Sequence, residues 1–215
     1  MEFTAAIALL EESYRLGLPG MDAQMHMAPD GRKSARQLDP GMISAAQRAA
    51  VIALLLPLTD GRDTGLLLME RSGGLGVHAG QVSFPGGKQE GGEELLQTAL
   101  REAWEETGVR GETISMIGPL SPLYIPPSDF YVQPFLGYVD HMPDFQVSED
   151  EVKRLLIPPL PDLLNMENIR RGTFNSSSGA AVNAPYFSVG NIRIWGATAM
   201  MISELVILCK RRLDK

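Results

Sequence analysis

The sequence predicts an α/β fold in which a mixed β-sheet is covered by helices on both faces. A continuous apolar run at 49–58 is typical of a buried strand. A second strand pattern at 64–71 follows the turn signal TDGRD. Apolar residues at helical spacing, at 93–107 and at both ends of the chain, predict the covering helices.

Shorter patterns predict the remaining elements. A short strand at 80–87 ends in the breaker Pro-Gly-Gly. Further strands are predicted at 113–118, 130–139, 182–189 and 191–195. The acidic segment 148–156 predicts the start of a short helix. Residues 158–164 predict a loop that leads into another helix, and residues 197–213 predict a closing helix.

The first 42 residues predict a helix and an arm that pack on the body of the protein. Phe3, Ile7, Leu10 and Tyr14 recur at helical spacing, which indicates an amphipathic helix. The segment lacks the positively charged start of a signal peptide. Pro, Gly, Met and polar residues dominate the stretch that follows, as in a long connection. Residues 43–215 are then expected to form the main domain.

Composition limits the classes of partner. The chain of 215 residues carries a formal net charge of −7, so we expect neither nucleic acid nor an anionic membrane as a partner. No apolar run approaches the roughly 20 residues needed to cross a bilayer, and a cytoplasmic protein is expected. Cys209 is the only cysteine, which excludes an internal disulfide, and its apolar helical stripe predicts a packing role.

Three glutamates on the helix at 93–107 predict a metal site. Glu102, Glu105 and Glu106 stand at positions i, i+3 and i+4, with Cβ atoms about 5–6 Å apart on one face. Arg101 can pair with Glu105, but one cation does not neutralise three carboxylates. Mg²⁺ and Mn²⁺ prefer such oxygen ligands together with substrate phosphates. The alternative is a solvated acidic helix face, and the residues alone leave both interpretations open.

The surrounding sequence resembles the Nudix box. Gly87 is followed by five residues and Glu93, then by seven residues and the segment REAWEETGV at 101–109. This fills every fixed position of the family pattern, which is Gly, five spacers, Glu, seven spacers and Arg-Glu-apolar-x-Glu-Glu-x-Gly-apolar. The resemblance implies an α/β/α sandwich with a mixed sheet. It also implies hydrolysis of a nucleoside diphosphate linked to another moiety.

The resemblance assigns expected roles to these residues. Glu102, Glu105 and Glu106 are expected to bind the metal ions, and the carbonyl of Gly86 is expected to be a further ligand. Arg101 and Glu93 are expected to orient the helix and its carboxylates. Divalent ions then neutralise phosphate oxygens and lower the pKa of a bound water, and a nearby carboxylate accepts its proton.

The segment at 66–87 resembles the signature of coenzyme A pyrophosphatases within the Nudix family. The matching residues are Arg71, Ser72, Leu75, His78, Gly80, Val82, Phe84 and Pro85. Gly76 departs from the signature, which usually has arginine there, and so does Glu70. Arg71 and His78 are expected to bind substrate. The alternatives are that Arg71 pairs with a nearby acid and that His78 is hydrogen-bonded locally.

Downstream segments resemble those of bacterial relatives and add three candidates. Tyr124 is expected to contact substrate by stacking on a base, with Phe130 as a second possibility and core packing as the alternative for both. Glu151 is expected to be a metal ligand or general base, with Glu149 in reserve and a solvated helix start as the alternative. Trp195 is expected to lie in the core.

Together, these resemblances imply a Mg²⁺- or Mn²⁺-dependent hydrolase that is expected to cleave the pyrophosphate of coenzyme A or its thioesters. The substrate class is a small nucleoside diphosphate derivative. A hydrolase of ADP-ribose or other nucleoside diphosphate sugars is the second interpretation, favoured by Gly76. A ligand-binding sensor without turnover is the third, although sensors commonly lose the glutamates that this chain keeps. A homodimer remains open.

Overall fold

A computed structural model describes residues 1–34, 39–59, 61–72, 81–176 and 179–213. His78 and Gly76, which the sequence analysis singled out, lie outside the described residues. The helices are α1 (Phe3–Arg15), α2 (Met21–Met25), α3 (Pro40–Ala45), α4 (Leu95–Thr107), α5 (Leu160–Leu164) and α6 (Gly196–Leu213). No described helix has the length and apolar character that a membrane span requires.

The strands form one large mixed sheet and one small sheet. They are β1 (Gln47–Leu58), β2 (Asp63–Arg71), β3 (Val82–Ser83), β4 (Gly86–Lys88), β5 (Ser115–Pro119), β6 (Leu123–Ile125), β7 (Phe130–Tyr138), β8 (Val152–Leu156), β9 (Ile169–Asn175), β10 (Ala181–Val189) and β11 (Ile192–Trp195). The large sheet runs in the order β3-β2-β1-β7-β5, with β4 on β1, β6 on β7 and β8 on β2. The small sheet has the order β11-β10-β9.

The central strand β1 has apolar residues on both sides, which explains its continuous apolar run. It pairs in parallel with β7 and antiparallel with β2. Ile52 and Leu54 belong to a core shared with Ala99 and Ala103 of α4. Ala53 and Leu55 belong to a second core, which also includes buried residues of α1 and α6. The prediction of a mixed sheet between helices is therefore confirmed, because alternate side chains of one strand serve two helical layers.

Two predictions about secondary structure are wrong. Residues 148–156 do not begin a helix, because Val152–Leu156 pairs antiparallel with β2 as strand β8. The exposed edge of β2 offers backbone hydrogen bonds that outweigh the local helical preference of this acidic segment. The described part of the predicted strand 80–87 contains two short strands rather than one, since β3 pairs with β2 whereas β4 pairs with β1. Strands β6 and β9 were not predicted.

A buried carboxylate on α6 holds the N-terminal arm against the body. Glu204 is fully buried and accepts hydrogen bonds from the Gly20 N–H at 3.1 Å and the Gln24 side-chain amide at 3.1 Å. It also accepts the Ser121 N–H at 3.2 Å, so the arm and the loop before β6 share one acceptor. Cys209 lies on the same helix and is buried in the core, where burial raises the pKa of its thiol to about 12.

We expect Glu204→Gln to lower the free energy of unfolding by about 2–4 kcal/mol, since the amide cannot accept all three hydrogen bonds and directs an N–H at one donor. Urea denaturation followed by circular dichroism measures this change. Glu11→Gln is the control, because the side chain of Glu11 is 40% exposed and its ion pair with Arg15 is long, at 3.7 Å. An effect of Glu204→Gln as small as that of the control would contradict the role of Glu204.

Candidate active site

Helix α4 presents the predicted glutamates at the edge of strand β4. The helix begins after Glu94, whose side chain and that of Gln97 form a capping box. It ends at Gly108, whose φ of 78° is the left-handed conformation that favours glycine at a helix end. Ala99 and Ala103 face β1, and their small side chains let the helix approach the sheet closely.

Both glycines of the Pro-Gly-Gly segment are required by close approach. Gly86 has φ of +149°, and a Cβ there would lie 2.3 Å from the carbonyl oxygen of Ala50. A Cβ on Gly87 would lie 2.4 Å from Oε1 of Glu102. Strand β4 therefore lies directly against the carboxylate of Glu102, and any side chain at Gly87 would displace that carboxylate.

Glu106 is the most buried of the three glutamates, with 1% of its side chain exposed. Its Oε2 accepts the Gly86 N–H at 2.8 Å, and its Oε1 lies 3.4 Å from Nη1 of Arg71. Burial raises the pKa of Glu106 to about 8, although the Gly86 N–H and Arg71 both act to lower it. The partners within the described residues therefore compensate only part of the cost of a negative charge at this position.

Arg101 is the counter-ion of the other carboxylates. Its guanidinium lies 2.9 Å from each of Glu93, Glu102 and Glu105. Hydrogen bonds from Arg101 are the main reason that the pKa of Glu93 falls to about 2. Burial nevertheless raises the pKa of Glu102. Glu93 thus anchors Arg101, and Arg101 in turn orients two of the predicted ligands.

The three glutamates do not converge on one point. Among the described residues, no group of three or more Asp, Glu, His or Cys side chains is arranged closely enough to hold a metal ion. The reason is visible in the contacts, since Glu106 is directed to Gly86 and Arg71 whereas Glu102 and Glu105 are directed to Arg101. To share a cation with Glu106, Glu102 and Glu105 must exchange contact with Arg101 for contact with the ion.

The residues nevertheless fit a divalent cation. All candidate ligands are oxygen atoms, which hard divalent ions prefer. The buried carboxylate of Glu106 has incomplete charge compensation, and Gly87 leaves room for the carboxylate of Glu102 beside the backbone. The negative charges of Glu102 and Glu151 also raise the pKa of Glu106, so excess negative charge is concentrated here.

Glu151 and Arg71 lie beside this group because two chain segments meet there. The carbonyl of Glu151 accepts the Ser72 N–H at 2.8 Å, which ties the turn before β8 to the end of β2. The side chain of Glu151 is exposed. The predicted reserve, Glu149, offers its carbonyl to the Ser72 hydroxyl at 3.1 Å. Both signature residues, Arg71 and Ser72, thus contact residues that the sequence analysis had selected separately.

A cavity of about 830 Å³ opens onto Glu102. Gly86, Gly87, Glu102 and Arg71 form one side of it. Apolar side chains form much of the remaining wall, among them Val51, Phe84, Ile125, Phe130, Val132 and Trp195. The space is large enough for a nucleotide-sized ligand.

Tyr124 does not line this cavity, so the prediction that it stacks on a base is not supported. Its ring is buried, and its hydroxyl donates to Asp129 at 2.9 Å. The proline-rich sequence after Tyr124 turns the chain, and Phe130 reaches the cavity instead. Trp195, predicted to lie in the core, also lines the cavity while stacking on Phe174 with ring centroids 4.5 Å apart.

Sequence reasoning missed three cations at the cavity, Arg32, Lys33 and Lys88. Lys88 directly follows the double glycine, so its position could have been inferred from the box itself. Arg32 and Lys33 lie in the N-terminal arm, where composition indicates only a connection. Their place depends on contacts of the arm with distant segments, which no local pattern records.

The fold and this site define a member of the Nudix family. A family model described as the NUDIX domain matches residues 47–174, which include the sheet, α4 and the glutamates. The chain therefore belongs to the Nudix family. Nudix hydrolases act on phosphoric anhydride bonds and generally use divalent metal ions, and this chain is a hydrolase of that kind.

Relatives and solved structures agree with this assignment. Nudix hydrolase 3 of Caenorhabditis elegans is 31% identical over 186 residues, covering 79% of this chain and 77% of that protein. The uncharacterized Nudix hydrolase NudL of Yersinia enterocolitica is 36% identical over 176 residues, covering 79% of this chain and 86% of that protein. The MutT protein of Methanosarcina mazei has the same fold, with a TM-score of 0.50, 19% identity, and coverage of 80% of this chain and 99% of that one.

We expect Glu93→Gln to destabilise the protein in a pH-dependent way. The ionised carboxylate stabilises the folded state, because its pKa is about 2 in the fold and 4.5 in the unfolded chain. The stability difference from wild type should be complete above about pH 4.5 and shrink as the pH falls towards 2. Urea denaturation at several pH values measures it. Glu112→Gln, on an exposed turn, is the control, and a difference independent of pH would contradict the ion pair.

Proposed function

We propose that the chain is a Mg²⁺- or Mn²⁺-dependent hydrolase that cleaves the pyrophosphate of coenzyme A or its thioesters. The products are a phosphopantetheine fragment and adenosine 3′,5′-bisphosphate. The observation that carries this proposal is the cavity of about 830 Å³, which joins the carboxylate of Glu102 on α4 to a wall of apolar side chains. A ligand with an anionic bridge and an extended, weakly polar arm matches those two parts.

The signature residues support the same substrate. Arg71 reaches Glu106 at 3.4 Å and also lines the cavity, so one side chain contacts both the carboxylates and the ligand space. Val82 and Phe84, two further matches to the signature, lie in the cavity wall. The position of these residues in the cavity wall supports a role for the signature segment in binding substrate.

The carboxylates of Glu102, Glu105 and Glu106 and the carbonyl of Gly86 would hold the divalent cation. When bound, such an ion would neutralise phosphate oxygens and lower the pKa of a water molecule, so that the water loses a proton and attacks phosphorus at neutral pH. The Gly86 N–H holds the carboxylate of Glu106 at the site with a hydrogen bond of 2.8 Å. Glu93 fixes Arg101 beside Glu102 and Glu105, which would leave the guanidinium when they bind the ion.

Two other side chains act directly on the substrate in this proposal. Arg71 donates to a phosphate oxygen from the cavity wall, where its guanidinium offsets negative charge as the anhydride bond breaks. Glu151 accepts the proton of the attacking water, since its carboxylate is exposed and its charge acts on both Glu102 and Glu106. No covalent link between enzyme and substrate is required.

We expect Glu105→Gln and Glu106→Gln each to reduce Mg²⁺-dependent turnover of the anhydride about 100-fold or more, because each removes a charged ligand. Phosphate-ester products measured by chromatography report this loss. Mn²⁺ binding followed by electron paramagnetic resonance should weaken in the same variants, and Glu112→Gln should change neither. Full turnover in both variants would rule out the metal role of these residues.

A panel of substrates tests the identity of the ligand. We expect coenzyme A and acetyl-coenzyme A to be cleaved with higher kcat/KM than ADP-ribose and sugar nucleotides. Mass spectrometry should identify adenosine 3′,5′-bisphosphate as a product of the coenzyme A reaction. Cleavage of ADP-ribose without cleavage of any coenzyme A species would replace the proposed substrate with the nucleoside diphosphate sugars.

A further inference from the structure

We propose that Arg32 and Lys33 of the N-terminal arm bind a second anionic group of the substrate, a phosphomonoester carried in addition to the diphosphate. The inference rests on the proposed function, because it takes the diphosphate to lie beside the glutamates of α4. Both residues line the same cavity as Glu102 and Gly87, so one ligand can reach both places. The arm then selects among anhydride substrates.

The register of the large sheet shows how far apart the two places are. Lys88 pairs with Ala49, Ala49 with Val132, and Val132 with Leu123. Strands β4 and β6 are therefore separated by three strand spacings, or about 14 Å. Arg32 is fixed at the β6 end, where its Nη2 donates to the carbonyl of Tyr124 at 2.5 Å. A second group on the ligand must lie some distance from the first to reach it.

Among the residues that the structure describes, the guanidinium of Arg32 has no matching anion. Burial lowers its pKa, which reflects the cost of keeping the charge out of water. Within the described residues no carboxylate forms an ion pair with Arg32, and the nearby Asp30 is paired with Arg171 at 2.5 Å. Apart from the Tyr124 carbonyl, the part of the chain that the structure describes offers Arg32 no acceptor, and a planar guanidinium is well suited to phosphate oxygens.

The balance of charge in the cavity also favours an anionic ligand. The chain carries a net charge of −7, yet four cations line the cavity, namely Arg32, Lys33, Arg71 and Lys88. The described acidic residues in its wall are Asp30 and Glu102, and both already contact an arginine. Lys33 adds a mobile ammonium next to Arg32, which suits a group of charge near −2.

The arm is held in place before any ligand arrives. The Asp30 N–H donates to the carbonyl of Asn183 at 2.9 Å, which fixes the arm to β10. Nearer the N-terminus, Glu204 of α6 accepts hydrogen bonds from Gly20 and Gln24. The hydroxyl of Ser203 on the same helix donates to the carbonyl of Ala23. A site supported from both sides loses little conformational entropy when it binds a ligand.

The test compares coenzyme A with dephospho-coenzyme A, which differ only in the phosphomonoester on the ribose. We expect wild type to prefer coenzyme A in kcat/KM, and Arg32→Gln to reduce that preference about 10- to 100-fold, mainly through KM. Lys33→Met should reduce it less. Arg110→Gln, an exposed arginine outside the cavity, is the matched control and should retain the preference.

If wild type cleaves both substrates, a preference that is absent, or one that is unchanged in Arg32→Gln, would overturn the inference. Calorimetric titration separates this result from failure of the proposed function. Adenosine 3′,5′-bisphosphate should bind more tightly than adenosine 5′-monophosphate in the presence of EDTA, and Arg32→Gln should abolish the difference. If wild type cleaves no coenzyme A species but shows this binding difference, the proposed function fails and the anion site stands. Equal binding of both nucleotides to wild type and Arg32→Gln refutes the anion site.

Discussion

A buried carboxylate that accepts one backbone hydrogen bond determines the geometry of the site. Glu106 has 1% of its side chain exposed and receives the Gly86 N–H at 2.8 Å. This contact fixes the helix α4 against the strand β4, and both glycines of that strand are needed for the approach. Because burial raises the pKa of Glu106 to about 8, a cation placed nearby would stabilise its ionised form. Glu106 therefore both joins α4 to β4 through its hydrogen bond and has a carboxylate that a nearby cation would stabilise.

The cavity is assembled from three parts of the chain. The Nudix domain supplies the glutamates, Arg71 and the apolar residues of β1 and β7. The small sheet and the start of α6 supply Trp195 and its neighbours, and the N-terminal arm supplies Arg32 and Lys33. The first part contains the groups for anhydride hydrolysis, whereas the other two lie mostly outside the domain shared by the family.

Much of the fold could be predicted because the long elements have strong patterns. Strand β1 and helices α1, α4 and α6 follow from apolar periodicity, and the box spacing predicts which glutamates share a helix face. Strand β8 was missed because its local sequence resembles a helix start, and only pairing with β2 makes it extended. The ion pairs of Glu102 and Glu105 with Arg101 depend on side-chain conformations, and the position of Arg32 depends on a long-range contact. A linear sequence pattern contains neither.

The central proposal is that α4 and β4 together bind a divalent cation through the carboxylates of Glu102, Glu105 and Glu106 and the carbonyl of Gly86. Anomalous diffraction from crystals containing Mn²⁺ and a non-hydrolysed nucleotide tests this claim most directly. The account predicts an anomalous peak among the carboxylates of Glu102, Glu105 and Glu106 and the carbonyl of Gly86, with Arg101 still bound to Glu93. Ordered Mn²⁺ elsewhere in the cavity, with Glu102 and Glu105 still on Arg101, would contradict it.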